Sequence, residues 1–236
     1  WGTAVDAKYV WSPTYLTDFE PFPHINQLLQ LDNWTPDLVI TCDSAFTLLG
    51  PAPCPHVCVG QDNHARDYRL RDFDALFLCH TWGARMGEPN VYWLPTCYDP
   101  AMCYDMGLER DLDVVMVGYP YPERVAITNA IGDAGLKVAA GLGPVYDEYR
   151  ALYNRAKIAL VKSSNGDVTN RFFEGMAMGC CVLADPAPDA PKLGLVDGVH
   201  YWQYRDTAGA VEAAKMLLGG HWQKIAENGK RVVGKH

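Results

Sequence analysis

The stretch TNRFFEGMAMGCCVLAD, Thr169 to Asp185, decides how this chain is read. It opens on a polar pair, places Arg171 and Glu174 three residues apart, and then turns apolar. Thr169 or Asn170 can serve as a helix N-cap and Gly179 as a stop, so the spacing predicts a helix from Asn170 to the glycine. CVLAD then reads as a short strand closed by an acid. At i and i+3 the two charges share one face of the helix. They form either an intrahelical ion pair at a solvent edge or two arms of a ligand site. In the second case the free N–H groups of the helix start and the Arg171 fork meet phosphate. Glu174 then accepts two hydroxyl hydrogens of a ribose. Met176 and Met178 pack the helix in place.

The same alternation extends in both directions. Upstream, LDVVMVG (Leu112–Gly118) reads as a strand. In PERVAITNAIGDAG, Val125, Ile127, Ala130 and Ile131 fall at helical spacing, with Gly135 as a stop. LKVAAGLG is a strand with a glycine loop, YDEYRALYNRA a helix and IALVKSS a strand. Downstream, TAGAVEAAKMLLGG and HWQKIAENGKRVVGKH close the chain as helices. In the N-terminal half four short apolar runs stand out: PDLVITCDSA, Val57–Gly60, FDALFLCH and NVYWLPTCYDP. Continuous apolar runs of that length fit parallel strands buried on both faces. The best helical patch among them is INQLLQLDNW. Residues 95–110, rich in prolines and polar residues, read as a linker.

The expected fold is therefore α/β, with two Rossmann-like domains built on parallel sheets. They span residues 1–105 and 106–236, with ligands beyond the carboxyl ends of the strands and in the cleft between domains.

Composition narrows the function. Of 236 residues, 49% are hydrophobic and 20% charged, which supplies a real core. The net charge of −8 argues against a broad basic surface for non-specific nucleic-acid binding. No apolar run reaches the roughly 18 residues of a membrane span, and the first residues lack the pattern of a signal peptide. Eight cysteines are present, several inside apolar runs and two adjacent at Cys180 and Cys181, which points to a reducing, cytoplasmic setting. CPHVC (Cys54, His56, Cys58) lacks the spacing of a zinc site and has no second matching pair.

Other candidate residues sit at strand ends. Gly118 and Arg124 flank a proline-rich loop after one strand, and Gly141 and Gly143 follow another. Each glycine is either an ordinary turn or part of a phosphate loop. Asp62 and His64, just past a strand, are candidate general bases, with an Asx turn and a surface histidine as the plain alternative. His80 is a less favoured candidate of the same kind, and His200 is a packed histidine or a ligand contact. G-x-S-x-G and Walker A loops are both absent, which removes the corresponding hydrolase and P-loop readings.

NRFFEGMAMGCCVLAD, followed by DGVHYWQYRD and IAENGKRVVGKH, resembles the C-terminal half of GT-B glycosyltransferases. The similarity is to the spore-maturation-protein-like, glycosyl transferases group 1 branch. Arg171, Phe173, Glu174, Ala177 and Gly179 stand at the positions of its signature, as do Asn228, Gly229, Val232 and His236 at the end. The resemblance covers roughly residues 36–236 and is tightest from Asn170 onward. It implies a nucleotide-sugar donor held by the C-terminal domain, with Glu174 on the ribose and Arg171 facing the diphosphate. Gly118 and Arg124 would lie beside the phosphates. It implies a hexosyl- or pentosyltransferase that requires neither a bound metal nor another cofactor, with Asp62 or His64 as acceptor-side base in an inverting enzyme. The acceptor is open between a glycan, a protein, a small molecule and a modified nucleic-acid base. A non-catalytic nucleotide-sugar-binding or assembly protein of the same fold is the alternative. The chain departs from the family at Gly166, where many retaining members carry an acid; Asp167 is one step out of register.

Overall fold

The computed structural model describes residues 35–42, 52–61, 73–83, 85–164 and 166–235. The chain divides into two compact units, Trp1–Leu94 and Pro95–His236. The helix expected over INQLLQLDNW and the proposed bases Asp62 and His64 lie outside the described residues, as does His236.

The first unit carries four parallel strands in the order β1-β2-β3-β4: β1 (Val39–Cys42), β2 (His56–Gly60), β3 (Ala75–Leu78) and β4 (Val91–Trp93). Each apolar run noted in this half yields one strand. Cys58, Leu76 and Leu78 are fully buried, with Phe73, Met86 and Val91 packed against them. His56 of the CPHVC motif fixes sheet register. Its N–H donates to Asp74 Oδ2 (2.8 Å), its Nε2 lies 2.8 Å from Thr41 Oγ1, and its ring meets Phe73 edge-on.

The second unit is a five-stranded parallel sheet ordered β6-β5-β7-β8-β9: β5 (Leu112–Val117), β6 (Val138–Gly141), β7 (Ala156–Val161), β8 (Cys181–Ala184) and β9 (Trp202–Gln203). Its helices are α1 (Pro122–Asp133), α2 (Tyr146–Arg155), α3 (Asn170–Ala177), α4 (Thr207–Met216) and α5 (Trp222–Val233). The central strands are covered on both faces, which is why they read as unbroken apolar runs: Val114, Val115, Ile158, Ala159, Leu160, Val182 and Leu183 are all inaccessible. On one face Val114, Met116, Ile158, Leu160, Cys181 and Leu183 pack with α1 and α4. Side chains alternate along a strand, so Ala159 and Val182 point to the opposite face, where α3 lies on β7 and β8. Phe172 and Met176 anchor that helix, each fully buried and each stabilising by about 1.5–3 kcal/mol.

Two small residues set how closely α3 packs. A Cβ on Gly175 would lie 2.8 Å from Ala159 Cβ. One on Gly229 of α5 would lie 2.7 Å from the His200 carbonyl oxygen and 3.1 Å from Met176 Cγ. Asn228 Nδ2 donates to Val199 O (3.1 Å) beside that contact. The Asn228–Gly229 pair of the family signature thus docks the last helix on α3 and on the loop before β9.

Helix α1 turns a different face inward than its apolar spacing predicts. Arg124, Ile127, Thr128 and Ile131 are its buried positions, whereas Val125 is 40% exposed. The inner stripe follows i, i+3, i+4, i+7, and two of its four places are polar. Both are satisfied there. Thr128 Oγ1 donates back to Arg124 O (2.9 Å), and Arg124 is held as described below.

Residues 95–110, read from sequence as a linker, are bound tightly to the second unit. Thr96 Oγ1 donates to Val168 O (2.5 Å), and buried Asn154 accepts from Met106 N (2.6 Å) and donates to Tyr104 O (3.0 Å). Lys230 pairs with Asp105 at 2.9 Å. Arg110 donates to the carbonyls of Tyr153, Ala156 and Met178, closing the C-terminal ends of α2 and α3.

Candidate functional site

In the order β6-β5-β7-β8-β9 the chain leaves β5 first toward β6 on one side and then returns to β7 on the other. Such a reversal opens a crevice past the carboxyl ends of β5 and β7, where doubly wound sheets receive ligands. Gly118 follows β5, Lys162 follows β7, and the first turn of α3 follows the β7 loop.

Two arginines converge there. A Cβ on Gly118 would stand 3.1 Å from Arg171 Nη1 and 3.3 Å from Arg124 Nη1. A Cβ there would press on both guanidinium groups, which would have to give by a few tenths of an ångström, and the φ of +154° at Gly118 favours glycine for the same position. Arg124, 6% exposed, is fixed: Nε donates to Lys162 O (2.9 Å), Nη1 to Tyr119 O (3.1 Å), and its guanidinium carbon lies 4.9 Å from the centre of the Tyr121 ring. Burial and then the charge of Arg171 hold its pKa below the ordinary arginine value. Among the described residues, no carboxylate forms a salt bridge with either arginine. The ion pair that the spacing of Arg171 and Glu174 permits is not formed. Arg171 reaches toward Gly118, and Glu174 Oε2 instead accepts a hydrogen bond from Tyr149 OH on α2 (2.6 Å).

The start of α3 is also open. Thr169 occupies the N-cap position, but its buried hydroxyl makes no hydrogen bond to a described residue, and the first turn holds no acid. Asn170 begins the helix and is exposed. Phe172 N donates to Thr169 O (3.0 Å), while the N–H groups of Asn170 and Arg171 have no partner among the described residues and lie beside two cations.

Next to them, the lysine is neutralised. Asp185, buried at the end of β8, accepts from Lys162 Nζ (3.1 Å), Ser163 N (2.9 Å) and Ser163 Oγ (2.9 Å). Ser163 Oγ in turn accepts from Gly166 N (2.8 Å). Gly166 has φ +77°, a left-handed conformation that favours glycine. Asp167 is half-buried, and its charge acts on Arg124.

Gly141 ends β6, accepts a hydrogen bond from Gly118 N (2.9 Å) and is exposed, as is Gly143. His200 is half-buried, and its Nδ1 accepts from Val196 N (3.0 Å). His80, in the first unit, is buried and stacks on Trp82. Among the described residues no three His, Cys, Asp or Glu side chains gather in a way that could hold a metal ion. No helix among them is long and apolar enough to cross a membrane.

Sequence reasoning brought forward Gly118, Arg124 and Arg171 without showing that they meet at one point. It missed Tyr149 and the Lys162–Ser163–Asp185 network. The polar residues that end the apolar run in IALVKSS, and the acid that ends CVLAD, were the available signals for that network.

The sheet order and the polar edge define a Rossmann-like, doubly wound α/β domain. Residues 102–236 match the glycosyl transferase-like family, and the chain belongs to that family. No curated protein matches it in sequence. Its structure is similar to that of a sucrose-phosphate synthase from Thermosynechococcus elongatus. There the TM-score is 0.63 and the identity 11%, over 89% of this chain and 71% of that one. It is also similar to HepE from Anabaena, solved in complex with UDP and glucose, at TM-score 0.61 and 11% identity over 77% of this chain and 67% of that one. An α1,3-fucosyltransferase solved with GDP gives TM-score 0.58 and 13% identity over 84% and 71%. The fold is that of the GT-B glycosyltransferases.

Proposed function

We propose that this protein transfers a sugar, a hexosyl or pentosyl unit, from a nucleoside-diphosphate sugar to a hydroxyl acceptor. Within the family we place it with the group 1, spore-maturation-protein-like branch, on the signature from Arg171 to Gly179. The observation that carries the reading is the meeting of Arg124 and Arg171 over Gly118, neither of them in a salt bridge among the described residues. Two like charges so close are favoured when an anion joins them, and a diphosphate beside the bare N–H groups of α3 fits that requirement.

In this reading Arg124, Arg171 and the start of α3 stabilise the charge that develops on the departing diphosphate as the bond to the sugar breaks. No metal is needed for that task. Glu174 receives the ribose. The acceptor oxygen forms the new bond to the sugar and gives up its proton, to Asp62 or His64 in an inverting enzyme. The UDP and GDP carried by two of the structural neighbours support a donor of this chemistry.

A thermal-shift panel with UDP, GDP, ADP and dTDP and their sugars tests the reading. A ligand at a hundred times its Kd stabilises by about 2.7 kcal/mol, a rise of several degrees in a chain of this size. No rise with any member of the panel overturns the proposal.

A further inference from the structure

We infer that Tyr149 is a positioning residue that fixes the Glu174 carboxylate and thereby makes the site discriminate a ribose from a deoxyribose; this rests on the donor reading above. Tyr149 and Tyr153 sit at i and i+4 on α2, with ring centres 4.4 Å apart. Tyr153 is wholly buried, and its carbonyl accepts from Cys180 Sγ (3.1 Å) and Arg110 Nη1 (3.3 Å). It forms a rigid floor for the Tyr149 ring. From that floor Tyr149 OH donates to Glu174 Oε2 at 2.6 Å, tying α2 to α3 across the sheet face.

A glutamate at this place has three side-chain torsions to settle, and its carboxylate could otherwise swing toward Arg171, one turn away. The tyrosine removes that freedom. With one bond to Oε2 made, Oε1 and the second lone pair of Oε2 are left to receive ligand hydroxyls, and the tethered carboxylate resists turning aside when one is missing. A held acceptor that loses its partner on binding is the arrangement that rejects an analogue lacking one hydroxyl. The phenol stays a donor throughout the working pH range. Burial first, and then Tyr153 and the Glu174 charge, raise its pKa far above that of an ordinary tyrosine.

The test is calorimetric titration of the full chain and of Tyr149→Phe with UDP, 2′-deoxy-UDP, 3′-deoxy-UDP and inorganic pyrophosphate. The variant keeps the ring and its contact with Tyr153, and its unfolding midpoint is recorded alongside. The wild-type protein is expected to prefer UDP over at least one deoxy analogue. In Tyr149→Phe, loss of a hydrogen bond to a charged group should weaken UDP about tenfold and flatten the preference. Pyrophosphate affinity should be unchanged, and in a Glu174→Gln background the tyrosine substitution should cost nothing further. Retention of both UDP affinity and the preference by Tyr149→Phe overturns the inference alone. Equal loss for UDP and pyrophosphate also overturns it, because the tyrosine then supports the fold and not the carboxylate. Failure of the wild-type chain to bind any of the four overturns the inference; if it also fails with every other member of the thermal-shift panel, the donor reading falls with it.

Discussion

Replacing Gly175 by alanine sets two effects of opposite sign against each other. In a helix interior the change from glycine to alanine gains roughly 1 kcal/mol from reduced backbone freedom. Here the added methyl carbon would sit 2.8 Å from Ala159 Cβ and 3.3 Å from Val182 Cγ2. Carbon atoms rest at about 3.5–4.0 Å, so the first contact is short by about 0.7–1.2 Å. Neither neighbour can yield: Ala159 and Val182 lie on central strands with no exposed surface. The helix must lift instead, at the roughly 1–3 kcal/mol typical of overpacking. The steric cost exceeds the gain by up to about 2 kcal/mol, lowering the thermal midpoint by up to about 8 °C. Calorimetric unfolding of Gly175→Ala, Ala159→Gly and the double variant checks the argument. The double variant restores the missing space, so the two substitutions should couple favourably by about 1 kcal/mol or more. A raised midpoint in Gly175→Ala, or strictly additive effects, would show that α3 does not ride this close to the sheet.

Arg171→Ala should weaken UDP binding about tenfold or more while leaving unfolding free energy within about 0.5 kcal/mol, since the side chain has no hydrogen-bond or ion-pair partner among the described residues. Parallel titration and denaturant unfolding read both quantities; a large stability loss with intact binding contradicts the site. Gly118→Ala should reduce UDP affinity by a similar factor, because Arg171 can swing from the new methyl but Arg124 is held by two carbonyls. Wild-type affinity in a titration of that variant counts against convergence of the two arginines. His200 has its pKa lowered by burial first and then by the charge of Lys235. Its folded value lies below the unfolded value of about 6.5, so its stabilising contribution is complete above that pH and is lost as pH falls through the folded value. The midpoint should therefore drop between about pH 7 and pH 5, and a pH series on His200→Gln should show a shallower fall.

The strands were legible because buried parallel strands leave unbroken apolar runs, and each run found in the sequence carries a strand. Helix α3 was legible from its cap position, its glycine stop and its charged pair. The inward face of α1 was not. Apolar spacing favours Val125 and Ala130, while the chain buries Arg124 and Thr128, whose polar groups are satisfied by carbonyls distant in sequence or one turn back. The two-residue β9 is too short to leave a pattern, and it exists because β8 offers it an edge. At the site, the residue types at strand ends could be read, but not their pairing. Spacing allowed an Arg171–Glu174 bond, and only the position of α2 shows that Tyr149 takes the carboxylate and leaves the arginine to the crevice.

The stapling of residues 96–110 has a consequence for where this chain can be divided. A fragment begun at residue 106 or later would remove Asp105 from Lys230, take the Tyr104 carbonyl from the amide of Asn154, and strip Thr96 from the loop that leads into α3. A fragment begun later still, at the first strand residue Leu112, would also lose Arg110, and two helices would end on bare carbonyls. The natural seam runs before Pro95, so the segment that looks most expendable in the sequence is the clasp that keeps α3 seated.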